Sequence, residues 1–408
     1  MASAMLGCLP SAGLCRYRCL VDLNPPVRLS SGTPSDFSRT SRHLLHKAEA
    51  SAQPTTAFAH DNLLKESSSQ AHELDSPFRR IRFNDGSSTE FSPYICGCYS
   101  LAGGHGYIYE RDFTDAMELY ARAGCSTFDT ADIYGPSESV CGKFLKNWQN
   151  MKESDIALPE VQIFTKFVPN VFSNNPNFAY VERSVQKSMD AIGVSKLDLV
   201  QLHWWDYSMK GMLDVALALA ELREKGLVTS IGTTNMSTEA LAKIVDAGVP
   251  VVSNQVQFSL LDRRPLAQMV PYCKEKDIKL FAYGTLTGGV LTNRYLSREL
   301  VLKTSSLRMY SRILKEAGGE KYWRKLLGIL LEISNRKAVS IAAVALRWVM
   351  QQGPFYPVVG MTSGDHFEDN LKAFSFSLDE FDMAQIDEVL KESKGPKGDC
   401  YELERNIF

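Results

Sequence analysis

From Arg79 onward, short runs rich in β-branched and aromatic residues alternate with longer stretches whose apolar residues recur at helical spacing. Eight runs read as strands: 94–98, 126–131, 162–167, 197–203, 228–233, 251–256, 278–283 and 356–360. Between the first two, residues 112–124 put Phe113, Ala116, Met117 and Tyr120 on one helical face, with Gly124 as the stop. Segments 179–193, 212–226 and 238–248 behave alike, and the last two end on Gly226 and Gly248. Ahead of the first strand, residues 81–91 carry Asp85-Gly86 between two extended runs, which predicts a hairpin. A long connection separates the seventh and eighth strands. It reads as a polar loop over 286–306 followed by helices near 320–333 and 341–351, and a loop of that length marks a lid or binding segment.

Strands that alternate with helices imply a parallel sheet joined by crossovers, and eight such units predict a closed α/β structure, the (β/α)8 or TIM barrel, preceded by a β-hairpin. An open dinucleotide-binding sheet is disfavoured. No G-x-G-x-x-G follows a strand and opens a helix, and the glycine-rich stretch 103–108 lacks that spacing.

The first fifty residues have a different composition. They hold six basic residues (Arg16, Arg18, Arg28, Arg39, Arg42, Lys47) against three acidic ones (Asp22, Asp36, Glu49), with frequent serine. That pattern fits an organelle transit peptide better than a secretory signal. The expected division is a disordered targeting segment and linker over 1–76 and the barrel over 77–408, with a chloroplast destination first and a mitochondrion second. A net charge of -2 gives no footprint for nucleic acid, and no run of apolar residues is long enough to span a membrane. The nine cysteines are odd in number, which argues against a disulfide framework. Cys96 and Cys98 form a C-x-C pair without a second pair at metal spacing, so they read as buried strand cysteines and no metal site is expected.

Barrel active sites sit where the strands end, so the polar residues there are the candidates. Asp129 ends the second strand and Tyr134 follows it, Lys166 ends the third, and His203 ends the fourth. This group suits proton donation to a carbonyl. A phenol titrates near ~10, too high for an efficient acid at neutral pH. A nearby ammonium favours phenolate and lowers that value, so Lys166 is expected to tune Tyr134, with Asp129 as the charge partner of Lys166. His203 can hydrogen-bond the carbonyl oxygen while Tyr134 gives up its proton.

Residues 80–395 resemble the aldo-keto reductase family, with a plant plastid-type, NAD(P)-linked oxidoreductase the nearest description. In FDTADIYGPSE (128–138), Asp129 and Tyr134 stand at the family's D-T-A-x-x-Y spacing, and FTKF and QLHWWD supply Lys166 and His203. The resemblance implies an NADP(H)-dependent reductase of a small-molecule aldehyde or ketone. It implies that Thr234 and Asn235 of IGTTN, with Gln255, hold the nicotinamide carboxamide, and that Tyr283 stacks on the ring. It also implies that Gly97 and Cys98 line the nicotinamide ribose, that 286–291 covers the pyrophosphate, and that Asp369 and Asn370 grip adenine. Trp204 and Leu101, with the loop carrying His105 and Tyr107, are expected to wall the substrate pocket, and the tail 395–408 to drape over the mouth.

One departure affects the cofactor. The family usually sets Lys or Arg after the eighth strand for the 2′-phosphate of NADPH, whereas this chain reads VVGMTSGDHFEDN over 358–370. Thr362, Ser363 and His366 remain there, with Lys303 or Arg308 of the long loop as further candidates, so NAD(H) is also possible. Two readings of the whole stand side by side: a carbonyl reductase, either broad or dedicated to one metabolite, and a cofactor-binding regulatory or structural subunit with little turnover. The substrate and the oligomeric state stay open at this level.

Overall fold

The computed structural model describes residues 77–103, 108–154, 157–170, 176–302 and 304–405. The expected targeting segment 1–76 lies outside them, as do His105, Tyr107 and Lys303. Two short antiparallel strands, β1 (Ile81–Arg82) and β2 (Glu90–Phe91), come first. Eight parallel strands follow: β3 (Ile95–Gly97), β4 (Thr127–Asp129), β5 (Gln162–Phe167), β6 (Leu197–His203), β7 (Val228–Thr234), β8 (Val251–Gln257), β9 (Lys279–Tyr283) and β10 (Phe355–Gly360). β10 pairs with both β9 and β3, which closes the barrel. The expected (β/α)8 barrel with an N-terminal hairpin is the fold observed.

The outer helices that carry loops of interest are α1 (Glu110–Arg122), α2 (Ser137–Ser154), α3 (Phe178–Ile192), α4 (Met212–Glu224) and α5 (Thr238–Asp246). Then come α6 (Met269–Glu275), α7 (Ser305–Ala317), α8 (Gly319–Lys337), α9 (Ile341–Met350), α10 (Phe367–Leu371), α11 (Glu380–Leu390) and α12 (Glu402–Arg405). Local chemistry sets their ends. Ser237 caps α5 by accepting from Ala240 N, and Asn177 caps α3 by accepting from Tyr180 N. Gly226 and Gly248, the expected stops, have φ of 77° and 88°, where a side chain would be strained.

One helix lies outside the segments read as helical, and two expectations are corrected. The segment 137–154 forms α2, with Val140, Cys141, Phe144 and Trp148 buried on one face; its many polar residues mask that stripe. The expected polar loop over 286–306 contains short helical turns at Thr287–Gly289 and Asn293–Tyr295, and α7 starts at its end. The hairpin pairs Arg82 with Glu90, so the link is longer than a two-residue Asp-Gly turn. The Asp85 carboxylate accepts from Ser230 Oγ and Ser87 N, which ties that link to the base of the barrel.

The hairpin also plugs the barrel floor. Phe83 and Phe91 stack at 5.0 Å, and Phe91 meets Phe281 edge-on at 5.3 Å. With Ile95, Phe164, Leu199, Val252 and Val358 they form one buried cluster inside the strands. Removing a fully buried Phe from such a cluster typically costs about 3–5 kcal/mol, through lost transfer energy and an unfilled cavity. Phe91→Ala is therefore expected to lower the urea midpoint by that equivalent. A wild-type midpoint would show that the hairpin is not part of the cooperative core.

Candidate active site

β4, β5 and β6 deliver their last residues to one end of the barrel. Lys166 pairs in register with Gln201, which pairs with Gly232. A Cβ at Gly232 would meet Gln201 Cγ at 3.1 Å and Ser253 Oγ at 2.5 Å, so glycine leaves the room that the Gln201 side chain occupies. Within this layer the Lys166 ammonium forms an ion pair with Asp129 Oδ2 and donates to Thr130 O at 2.9 Å. Asp129 Oδ1 accepts from Gln201 Nε2 at 2.7 Å and from Gln255 Nε2 at 2.8 Å. Both charged groups are buried, and this set of partners offsets the cost of taking them out of water.

Tyr134 follows on the loop between β4 and α2. The Lys166 ammonium lies 5.0 Å from the centre of its ring, and the Tyr99 ring meets it edge-on at 5.1 Å. The expected lowering of the phenol by Lys166 is not what the structure gives. Burial first, then the Asp129 carboxylate and Tyr99, push the Tyr134 phenol well above its ordinary value. The Lys166 charge is matched by Asp129, so the phenol meets a neutral pair rather than a bare cation.

His203, at the end of β6, is buried. Desolvation, then the nearby charges of Arg405 and Lys166, press its imidazole down to about 3, so the ring is neutral throughout the physiological range. Asn235 Nδ2 lies 3.3 Å from His203 Nε2, and Asn235 Oδ1 accepts from Tyr283 OH at 2.9 Å. The Asn235 backbone is left-handed at φ 56°, and its N–H donates to Gln255 O. Thr234 Oγ1 donates to the same carbonyl at 3.1 Å.

The structure thus brings together Asp129, Tyr134, Lys166, His203, Asn235, Gln255 and Tyr283. Thr234 adjoins them, but its hydroxyl is engaged with backbone. Gly97 packs tightly on β10, where a Cβ would meet Val358 Cγ1 at 3.4 Å. Cys98 is buried with its Sγ 3.8 Å from that of Cys141. Asp369 and Asn370 stand on α10 beyond β10, and Asn370 Nδ2 donates to Tyr120 OH of α1 at 3.1 Å.

Trp204 and Leu101, expected at the substrate pocket, are both buried, and residues beside them meet His203 and Tyr134. Trp205, not Trp204, stacks on His203, with centroids 4.2 Å apart. Trp204 is buried and lines a groove with Tyr207, Met209 and Met212. Leu101 belongs to the core, and Tyr99 of the same turn is the residue against Tyr134. Gln201, Tyr401 and Arg405 also join this end of the barrel, none of them at a strand end. Tyr401 meets His203 edge-on at 5.8 Å, and Arg405 bonds backbone carbonyls beside it. Their distance along the chain hides them; only the polar, glycine-bearing tail hinted at a segment over the mouth.

A barrel with charged and phenolic groups gathered at the strand exits defines a class of enzyme-like (β/α)8 proteins. Comparison narrows it. The model of the aldo/keto reductase family matches residues 94–391. The chloroplastic pyridoxal reductase of Arabidopsis thaliana is 32% identical over 321 residues, covering 76% of this chain and 83% of that protein. The glycerol dehydrogenase of Gluconobacter oxydans superposes with a TM-score of 0.65 at 22% identity, over 78% of this chain and 97% of that one. An aldo/keto reductase of Klebsiella pneumoniae, solved with NADP and acetate, gives a TM-score of 0.58 at 18% identity, over 78% and 96%. The chain belongs to the aldo/keto reductase family.

The buried imidazole carries a stability signature. His203 titrates at about 3 in the folded chain and near ~6.5 when unfolded. Below ~6.5 the unfolded chain takes a proton that the folded chain refuses, so stability falls with pH until about 3 is reached. From pH 7 to 5 this group alone removes about 2 kcal/mol. Asp132 and Asp198, raised by burial to about 7 and about 6, act in the opposite sense and are common to the variant. His203→Gln is therefore expected to lose about 2 kcal/mol less than wild type between pH 7 and 5 in urea unfolding. Equal losses would refute a neutral buried imidazole.

Proposed function

We propose that this chain reduces aldehydes or ketones to alcohols with a nicotinamide cofactor, with Tyr134 as general acid. The observation that carries the reading is the meeting of Asp129, Lys166, Tyr134 and His203 at one barrel mouth. The side chains around them suit a nicotinamide. Asn235 offers an amide for the carboxamide, Tyr283 offers a ring beside it, and Gln255 and Thr234 back that corner. At the other end of the cofactor, Gly360 leaves open space at the exit of β10, where backbone can approach a ligand closely; Gly97 and Cys98 would flank the ribose, and Asp369 and Asn370 the adenine.

When bound, the reduced nicotinamide supplies hydride to the carbonyl carbon. The chain manages the oxygen. Neutral His203 hydrogen-bonds the carbonyl and orients it toward Tyr134. The raised phenol holds its proton until negative charge develops on that oxygen, then donates it. Lys166 lies over the ring of the phenolate left behind, and Asp129, gripped by Gln201 and Gln255, holds Lys166 in place.

NADP(H) is the leading cofactor, with NAD(H) accepted. Residues 358–370 hold neither Lys nor Arg, and Ser363 Oγ is committed to Asp365 at 2.9 Å. A 2′-phosphate would meet no bidentate guanidinium in that stretch. The setting is plastid carbonyl metabolism or detoxification. Its supports are the basic, serine-rich N-terminal segment and the chloroplastic relative.

Tyr134→Phe keeps the ring and removes the donor. It is expected to bind cofactor like wild type while kcat/KM falls roughly 10²–10⁴-fold. Retained turnover would remove Tyr134 as the acid, and wild-type binding without turnover on any carbonyl would favour a regulatory subunit. Titration under matched conditions should show a preference for NADPH over NADH of less than about a hundredfold, the upper end of what a charge-assisted contact contributes. A larger preference would mean that another cation reads the phosphate.

A further inference from the structure

Beyond α11 the chain returns across the barrel mouth and ends its described course at Arg405. Its guanidinium donates from Nε to Trp205 O at 3.2 Å, and from Nη2 to Trp204 O at 3.1 Å and Asn235 O at 2.6 Å. It also lies 3.9 Å from the centre of the Tyr207 ring. These three carbonyls follow β6 and β7, the strands that carry His203 and Thr234. There the ladder has ended, so the carbonyls need other donors. Asn235 needs support in particular, because its left-handed backbone is disfavoured for a residue with a side chain. A planar fork with five donors can satisfy all three carbonyls at once; a lysine ammonium cannot match that geometry.

The tail that presents Arg405 is itself fixed. Glu404 accepts from Arg264 Nη1 at 3.0 Å and Nη2 at 2.8 Å, and Arg264 also bonds Asp262, with all three side chains buried. Asp399 accepts from Thr238 N at 2.8 Å at the start of α5.

We propose that Arg405 is a positioning residue of the active site, whose guanidinium fixes Asn235 and the Trp204–Trp205 turn so that the tail and the grip on the nicotinamide carboxamide act as one unit. This rests on Asn235 as the carboxamide holder. A second consequence is electrostatic. The groups facing His203 are Lys166 from β5, Asn235 after β7, Trp205 from its own loop, and Tyr401 and Arg405 from the tail. Arg405 and Lys166 are the cations among them, and both oppose protonation of the imidazole.

The test uses the full chain as wild type, Arg405→Met and Arg405→Lys. Cofactor affinity is read by fluorescence titration with NADPH and with NADH. The His203 imidazole is titrated by NMR in cofactor-free protein, assigned with His203→Gln. Arg405→Met is expected to weaken both cofactors about tenfold, the loss of one charge-assisted contact, and to shift the His203 titration upward. Arg405→Lys keeps the charge and loses the fork, so His203 should titrate as in wild type while cofactor binding weakens. Wild-type affinity in Arg405→Lys overturns the positioning role, and an unchanged His203 titration in Arg405→Met overturns the electrostatic one. If Arg405→Met does not fold, Arg405→Lys decides alone. If wild type binds neither cofactor, the reductase reading fails, while the His203 titration still tests whether Arg405 acts on the site.

Discussion

The buried ion pair between Asp129 and Lys166 is the constraint on which the rest of this barrel end depends. Two charges in a dry interior are destabilising unless each is fully partnered. Here the carboxylate takes donors from Gln201, Gln255 and Lys166, and the ammonium reaches Thr130 O as well. Four strands must be in register for those partners to meet: β4 for Asp129, β5 for Lys166, β6 for Gln201 and β8 for Gln255. Gly232 of β7 leaves room for Ser253 Oγ and Gln201 Cγ, which a Cβ would meet at 2.5 and 3.1 Å. The aromatic floor of Phe83, Phe91, Phe164 and Phe281 closes the other end of the barrel, so the pair sits between packed rings below and the mouth above.

Two kinds of neutrality follow. The phenol of Tyr134 keeps its proton because burial and a facing carboxylate disfavour phenolate. The imidazole of His203 stays unprotonated because burial and two cations disfavour imidazolium. In the proposed reduction, a donor that holds its proton and a neutral hydrogen-bonding ring side by side are what a carbonyl oxygen needs as charge develops on it. The enclosure is aromatic and is assembled from distant segments. Tyr99 comes from the turn after β3, Trp205 from the loop after β6, and Tyr401 from the tail.

The strands and their polar ends were legible because buried strands declare themselves as apolar runs, and a charge that closes such a run stands out. Asp129, Lys166 and His203 were found that way, and all three meet in space. The sign of the Tyr134 shift was not legible, because it depends on how far Asp129 cancels Lys166 and on how deeply the ring is surrounded. The aromatic residues beside His203 and Tyr134 stand one or two positions from those expected, for a geometric reason. Where a strand gives way to loop, successive side chains diverge, so Trp204 and Trp205 point to different surroundings and only contacts distinguish them. α2 hid behind a polar surface, although its buried residues keep helical spacing. Arg405 was invisible because its partners lie 170 to 201 residues away along the chain.

The two ends of the proposed cofactor site are specified very unequally. At the reacting end, three of the side chains are each held by another: Asn235 by Tyr283, Gln255 by Gln201, Lys166 by Asp129. At the exit of β10, Thr362 and His366 are exposed, and Ser363 turns to Asp365. A guanidinium that reads a phosphate bidentately contributes geometry as well as charge, and isolated hydroxyls contribute neither to the same degree. In the proposed enzyme, the chemistry of the hydride acceptor is therefore fixed by a dense buried network. The identity of the distant phosphate is left to a few exposed groups that can change without disturbing the Asp129–Lys166 pair.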